Sequence, residues 1–197
     1  MTETPSYSVI RQERDIELRL YPAYIKAEVS MVETSYRKAV FKGFNILADN
    51  ILADFIFGNN IKTEKIAMTS PVQVSQSQKI AMTKPVTIRG DGNYTVAFIM
   101  PSEFTLDTLP IPRNDAVRFT SVPSQTMAVV HYSGYFQGTK INKAKQRLSA
   151  WLGKEGFETE GDFIIAGYNP PWVPWFLTRN EVMIVIKSEA VLEIFHK

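Results

Sequence analysis

Lys65-Ile66-Ala67-Met68-Thr69-Ser70-Pro71-Val72 is followed, after the polar run Gln73–Gln78, by Lys79-Ile80-Ala81-Met82-Thr83-Lys84-Pro85-Val86. The chain says one phrase twice, varying only the residue before Pro-Val. In extended backbone, Ile66, Met68, Ser70 and Val72 share a face, as do Ile80, Met82, Lys84 and Val86. The pattern predicts two paired strands joined by the Gln/Ser-rich connection. Pro71 and Pro85 each remove a ladder donor and belong at an edge, a strand end or a bulge. Two arms of an arbitrary hairpin share composition; they do not share five residues in order.

Outward from this pair, residues up to about Asp15 read as a polar lead-in. Ile16–Val29 alternates as one long strand, interrupted by Pro22. Thr34 or Ser35 caps a helix running to about Phe57, with Tyr36, Val40, Phe44, Leu47, Ile51 and Phe55 as its apolar stripe. Arg89–Asn93 is a hairpin turn, Tyr94–Met100 a strand, Thr105–Asp115 a proline-bearing loop and Ala116–Val122 a further strand. The opening order then returns: strand Met127–Gly134, helix Thr139–Leu152, strands Phe163–Tyr168 and Glu181–Lys187. Each half reads strand, helix, strand, strand, an internal duplication of architecture with halves near 16–122 and 123–190 within a single domain spanning 1–197. The fold class is α+β: an antiparallel sheet or distorted barrel of about eight strands with two main helices outside. The tail Val191–Lys197 has no fixed reading.

Composition narrows the function. A net charge of +2 argues against a nucleic-acid or anionic-membrane partner, and the absence of cysteine excludes thiolate chemistry. The N-terminus lacks the apolar core of a signal peptide, and no window approaches the ~18 apolar residues of a membrane helix, so the expected location is cytoplasmic. The basic residues of the second helix (Lys140, Lys143, Lys145, Arg147, Lys154) read as a solvated face. No G-x-S-x-G, P-loop, H-E-x-x-H or G-x-G-x-x-G occurs, so no catalytic motif marks an enzyme.

Three places can carry chemistry. His131, on an apolar strand, is either a hydrogen-bonded sheet histidine or an axial haem ligand. The stretch Tyr168–Phe176 carries three prolines with Trp172, Trp175 and Phe176, and either caps the core or walls a pocket. Glu181 opens an apolar strand; it is either exposed or buried, and if buried it needs a partner such as a tyrosine hydroxyl or Arg179.

Lys-Ile-Ala-Met-Thr-x-Pro-Val resembles the signature of the SOUL haem-binding protein family, and its tandem form resembles the bacterial branch. Val96–Phe104 and Tyr168–Trp172 leading to Arg179-Asn180-Glu181-Val182 agree. The resemblance runs from about Ile16 to Lys187 and implies a pseudo-two-fold barrel related to bacterial effector-binding domains. It implies a soluble haem or tetrapyrrole binder, acting as carrier, buffer or sensor without turnover. Some members use a helix histidine, which helix one here lacks, so the implied mode is an apolar groove. Trp172, Trp175 and Phe176 with Phe41 and Phe44 would face the ring, and Lys62, Lys65 and Arg179 would meet the propionates. The alternative is an effector-binding-type module for another small molecule, or a hydrolase in which Glu181 acts as general base beside Tyr132 or Tyr168.

Overall fold

Pro22 does more than bend a strand: Ile16–Val29 is two strands that go to different neighbours. In the computed structural model, which describes residues 5–49, 86–90, 92–109, 112, 114–134, 138–169 and 174–187, β2 (Ile16–Tyr21) ends at Pro22-Ala23 and β3 (Tyr24–Val32) starts afresh. The lead-in is also structured. Ser8–Glu13 forms β1, which returns through Arg14 at φ 57° to pair with β2. The doubled phrase up to Pro85, with Lys62, Lys65, Trp172 and the tail 191–197, lies outside the described residues.

After β3, Ser35 caps α1 (Tyr36–Leu47), its hydroxyl accepting from the Lys38 N–H at 3.4 Å. The buried stripe of α1 is Ala39, Gly43 and Leu47, rotated from the expected Tyr36–Val40–Phe44 row, which flanks it half-buried. Small residues win the inner row because the helix lies close on the sheet: a Cβ on Gly43 would stand 2.6 Å from Val96 Cβ. Then come β4 (Val86–Arg89), β5 (Asn93–Ile99), β6 (Val117–Val122), β7 (Gln125–Tyr132), α2 (Gly138–Glu155), β8 (Thr159–Gly167), a 3-10 turn at Trp175–Leu177, and β9 (Asn180–Ile186). Helix α2 buries Ile141, Ala144, Leu148, Trp151 and Leu152 against the sheet.

All strand pairs are antiparallel, in the order β1-β2-β7-β9-β8-β4-β5-β3-β6. From the β8–β4 seam the order is symmetric: β9, β7, β2 on one side answer β5, β3, β6 on the other. The strand–helix–strand–strand unit therefore recurs as expected. The expected barrel of about eight strands does not close. Among the described residues nine strands form one open sheet, with β1 as an exposed edge strand whose register shifts between Val9 and Arg11.

Alternation gives the sheet two faces. Leu18, Ala27, Val29, Ile88, Val96, Phe98, Val130, Ile165, Val182 and Ile184 point to the helices and form the main core. Tyr21, Met127, Val129, Ile164, Ala166 and Met183 form a second, smaller cluster on the other face.

Candidate functional site

Period-two alternation puts Glu17, Arg19 and Tyr21 on the helix-free face of β2, beside β7 and one strand from β9. Glu181 opens β9 opposite His131 and Ala166. Arg19 and Glu181 are both 0% exposed. Arg19 grips Glu181 with both terminal nitrogens, Nη1 to Oε2 and Nη2 to Oε1, each at 3.1 Å. Its Nε donates to Glu17 at 2.6 Å and Nη1 also to the Tyr21 hydroxyl at 3.0 Å. Glu181 accepts further from the Tyr168 hydroxyl at 2.5 Å and from Arg179 Nη2 at 2.7 Å and Nε at 3.1 Å. Tyr7 closes the cluster: its ring lies 4.1 Å from the Arg19 guanidinium carbon, and its hydroxyl accepts from Arg179 at 3.3 Å.

Electrostatics follow from this packing. Burial alone would push the Glu181 carboxyl up, but Arg19, Tyr168 and Arg179 outweigh it and hold the group below the usual carboxylate range. Burial would lower Arg19; the Glu181 carboxylate reverses that and keeps it charged. Burial pushes the Tyr21 hydroxyl up to about 12, and Tyr168 rises further, first by burial and then by the adjacent Glu181 charge. The tyrosines are therefore neutral donors and the glutamate a saturated acceptor.

His131 belongs to the same cluster. Its Nδ1 lies 3.3 Å from Glu181 Oε1, and its Nε2 lies 3.0 Å from Arg19 Nη2 and 3.3 Å from Glu17 Oε1. Since guanidinium only donates, Nε2 is the acceptor of the Arg19 contact, and Nδ1 faces the Glu181 carboxylate.

Beside this cluster lies a partly open cavity of about 460 Å³ on the same face. Tyr7, Tyr21 and Tyr168 separate it from Glu181; Met127, Met183, Ile164 and Val185 supply its apolar wall, and Tyr24, Lys26, Glu28, Thr87, Arg89 and Thr120 its polar one. Lys26 pairs with Glu28 at 2.6 Å, and Glu28 also accepts from Thr120 at 2.7 Å. The Arg89 side chain makes no hydrogen bond or close ion pair among the described residues, and its charge acts on Glu28 and Tyr24.

The structure splits the residues singled out from sequence. Glu181 and Arg179 join the buried cluster with Tyr168 as partner. Phe44 packs edge-on against Phe98 at 5.4 Å on the helix side, and Phe41 on the same helix is 72% exposed. Trp175 and Phe176 sit in the 3-10 turn before β9, with Phe176 59% exposed. The sequence reading missed Arg19, Tyr7 and Arg89. The available signal for Arg19 was the polar alternation Glu17-x-Arg19-x-Tyr21 within an apolar strand.

The fold is similar to the C-terminal domain of EcmrR (TM-score 0.60, 11% identity, 92% of this chain and 98% of that one). It is also similar to a hydrolase from Listeria innocua (TM-score 0.55, 11% identity, 90% and 94%). At such identities the likeness is of fold, an effector-binding-like one. In sequence, the chain is 27% identical to heme-binding protein 2 of Homo sapiens, over 97% of this chain and 89% of the relative. It is 25% identical to heme-binding protein 1 of Xenopus tropicalis, over 68% of this chain and 66% of that relative, so it spans just under two thirds of the frog protein. The model of the SOUL heme-binding protein family matches residues 2–185, nearly the whole chain, and the chain belongs to that family.

Proposed function

We propose that this protein is a non-enzymatic tetrapyrrole binder, a carrier, buffer or sensor, and that it holds its ligand in the cavity on the helix-free face. The carrying observation is the cavity itself: about 460 Å³, within the range of small-molecule sites, with aromatic and thioether walls and the Arg89 guanidinium on its polar side. A bound tetrapyrrole supplies a flat apolar ring with carboxylates along one edge. These residues fit that chemistry: Met127, Met183 and Tyr24 offer ring-facing surface, and Arg89 with Lys26 offers cations. The nearby histidine is engaged and the nearby tyrosines are held neutral, so ring contacts rather than iron ligation carry binding.

Turnover through Glu181 has little support. A carboxylate that already accepts from two arginines and a tyrosine, held ionised below its usual range, is a weak base. An effector-type module for a different ligand would use the same cavity. With a net charge of +2 and no helix among the described residues long and apolar enough to cross a membrane, the reading stays with a small-molecule partner and a cytoplasmic location.

A second placement rests on exposed apolar side chains: Phe41, Phe176 at 59% and Leu177 at 64%. In it, Phe41, Phe44, Trp172, Trp175 and Phe176 face the ring between helix and loop, with Lys62, Lys65 and Arg179 at the propionates and Glu181 behind. Parallel titrations with hemin and metal-free protoporphyrin IX, read by absorbance and tryptophan quenching, separate the two. Saturable one-to-one binding of both, weakened by Arg89→Ala and unaffected by Phe41→Ala or Phe176→Ala, supports the cavity. Weakening by the phenylalanine variants alone moves the ligand to the helix–loop groove. Binding of neither porphyrin retires the tetrapyrrole reading.

A further inference from the structure

The cavity has a neighbour. A second one, also about 460 Å³, shares Pro5, Tyr21, Tyr24, Ile99 and Ser121 with the first. Its own walls are chiefly Ala23, Ile25, Met100, Pro101, Phe104 and Leu106, and among the described residues no charged side chain lines it. The first cavity, by contrast, carries Lys26, Glu28, Arg89 and Glu160. The dividing side chain is Tyr24, whose hydroxyl accepts from Gln125 Nε2 at 3.3 Å and is pushed up chiefly by burial.

The second compartment is a built feature. Phe104 packs against the main core, and its N–H donates to the Pro101 carbonyl at 3.2 Å. The turn beyond is closed by the Leu109 N–H to Thr105 carbonyl bond at 3.1 Å, with Leu109 buried. Register fixes its distance from the cation. Arg89 stands opposite Thr95, and Ile99 lies four residues farther along β5, about 13 Å at strand spacing. The charge-bearing and the charge-free cavity thus meet along the shared side chains Tyr21, Tyr24, Ile99 and Ser121.

Resting on the tetrapyrrole reading above, we infer that the second compartment receives an aliphatic arm, so that the ligand class is a tetrapyrrole carrying a prenyl or long alkyl substituent. The acidic edge meets Arg89, the ring lies on Tyr24, Met127 and Met183, and the arm passes Ile99 to lie against Ile25, Met100 and Leu106. Apolar burial in a charge-free compartment favours the armed ligand over its unarmed parent.

The test compares haem b with haem O, which keeps both propionates and adds a farnesyl-derived arm. Wild type should bind haem O at least about tenfold more tightly than haem b. Leu106→Glu, at a position 49% exposed, places a charge in the wall; it should bring the ratio to about one and leave haem b affinity unchanged. Ala23→Trp, an exposed position that fills the compartment, should do the same. If haem b binds and haem O binds no better, the arm inference fails and the tetrapyrrole reading stands. A preference that persists in both variants also overturns it, because the arm then lies elsewhere. If neither haem binds, the tetrapyrrole reading falls and the arm with it.

Discussion

Over β2, β7 and β9, Arg19 and Glu181 are fully buried and direct their hydrogen-bonding groups at each other and at Glu17, Tyr21, Tyr168, Arg179 and His131. Over β3 and β4, in the other half of the sheet, Lys26 and Glu28 pair at about one-fifth exposure, and the Arg89 side chain makes no hydrogen bond or close ion pair among the described residues. One strand order thus carries two opposite solutions. At one end the chain completes its own polar network; at the other it leaves a guanidinium, hydroxyls and apolar wall facing empty volume. A buried ion pair is tolerable only when complete, whereas a half-buried cation that still meets solvent costs less while it waits for a ligand. The difference separates scaffold from site on one sheet face.

The sharpest way to break that contrast is Glu181→Gln. It removes the carboxylate that holds both terminal nitrogens of buried Arg19, leaving only Glu17 as a charged partner, and should cost about 3–5 kcal/mol in urea unfolding. A loss below about 1 kcal/mol would show that water reaches the cluster. The helix-covered face sets an intermediate scale: Gly43→Ala drives a methyl into Val96 and should cost about 1–3 kcal/mol. Its thermal midpoint should fall while porphyrin affinity holds; an unchanged midpoint would mean that α1 rides farther from the sheet.

Acid should then erase part of the Glu181 advantage. The folded carboxyl sits below its ordinary 4.5 because Arg19 and its neighbours outweigh burial. As pH falls through that value the unfolded chain takes up a proton that the folded chain refuses, so stability drops until the folded group protonates as well. The stability gap between wild type and Glu181→Gln should narrow between about pH 6 and pH 3; a constant gap would mean the carboxyl is not held ionised. The smallest structural effect belongs to Arg89→Ala, which should change stability by no more than about 0.5 kcal/mol yet weaken porphyrin binding about tenfold. Loss of folding without loss of affinity would reverse the roles of the two ends.

Sequence periodicity located most strands, both helices and their repeated order, because alternation and helical spacing are local. It merged β2 with β3, since Pro22 marks a break without saying that the two sides choose different partners. It passed over β1, whose residues are mostly exposed and are held as a strand by β2 rather than by burial of their own. Glu181 was legible as a residue either exposed or buried against a tyrosine hydroxyl or Arg179; the structure buries it and supplies Tyr168 and Arg179, 13 and 2 residues away. Arg19 was not: it lies 162 residues from Glu181 and meets it only once β7 stands between β2 and β9. Arg89 read as the first residue of a turn, whereas it is the last residue of β4, and gave no sign of facing a cavity.

The placement of β2 and β6 has a consequence for how the chain can be cut. β2 precedes β3 in sequence yet zips to β7, while β6 precedes β7 and zips to β3. A break between Val122 and Gln125 would leave β7 without the strand that covers its edge, and would take from the second fragment the buried one of the two arginines that meet Glu181. Each fragment would carry a bare strand edge, the condition that drives two copies to trade segments. In that sense the two halves are bound by strand pairing across the boundary, β2 on β7 and β4 on β8, rather than by a surface between them.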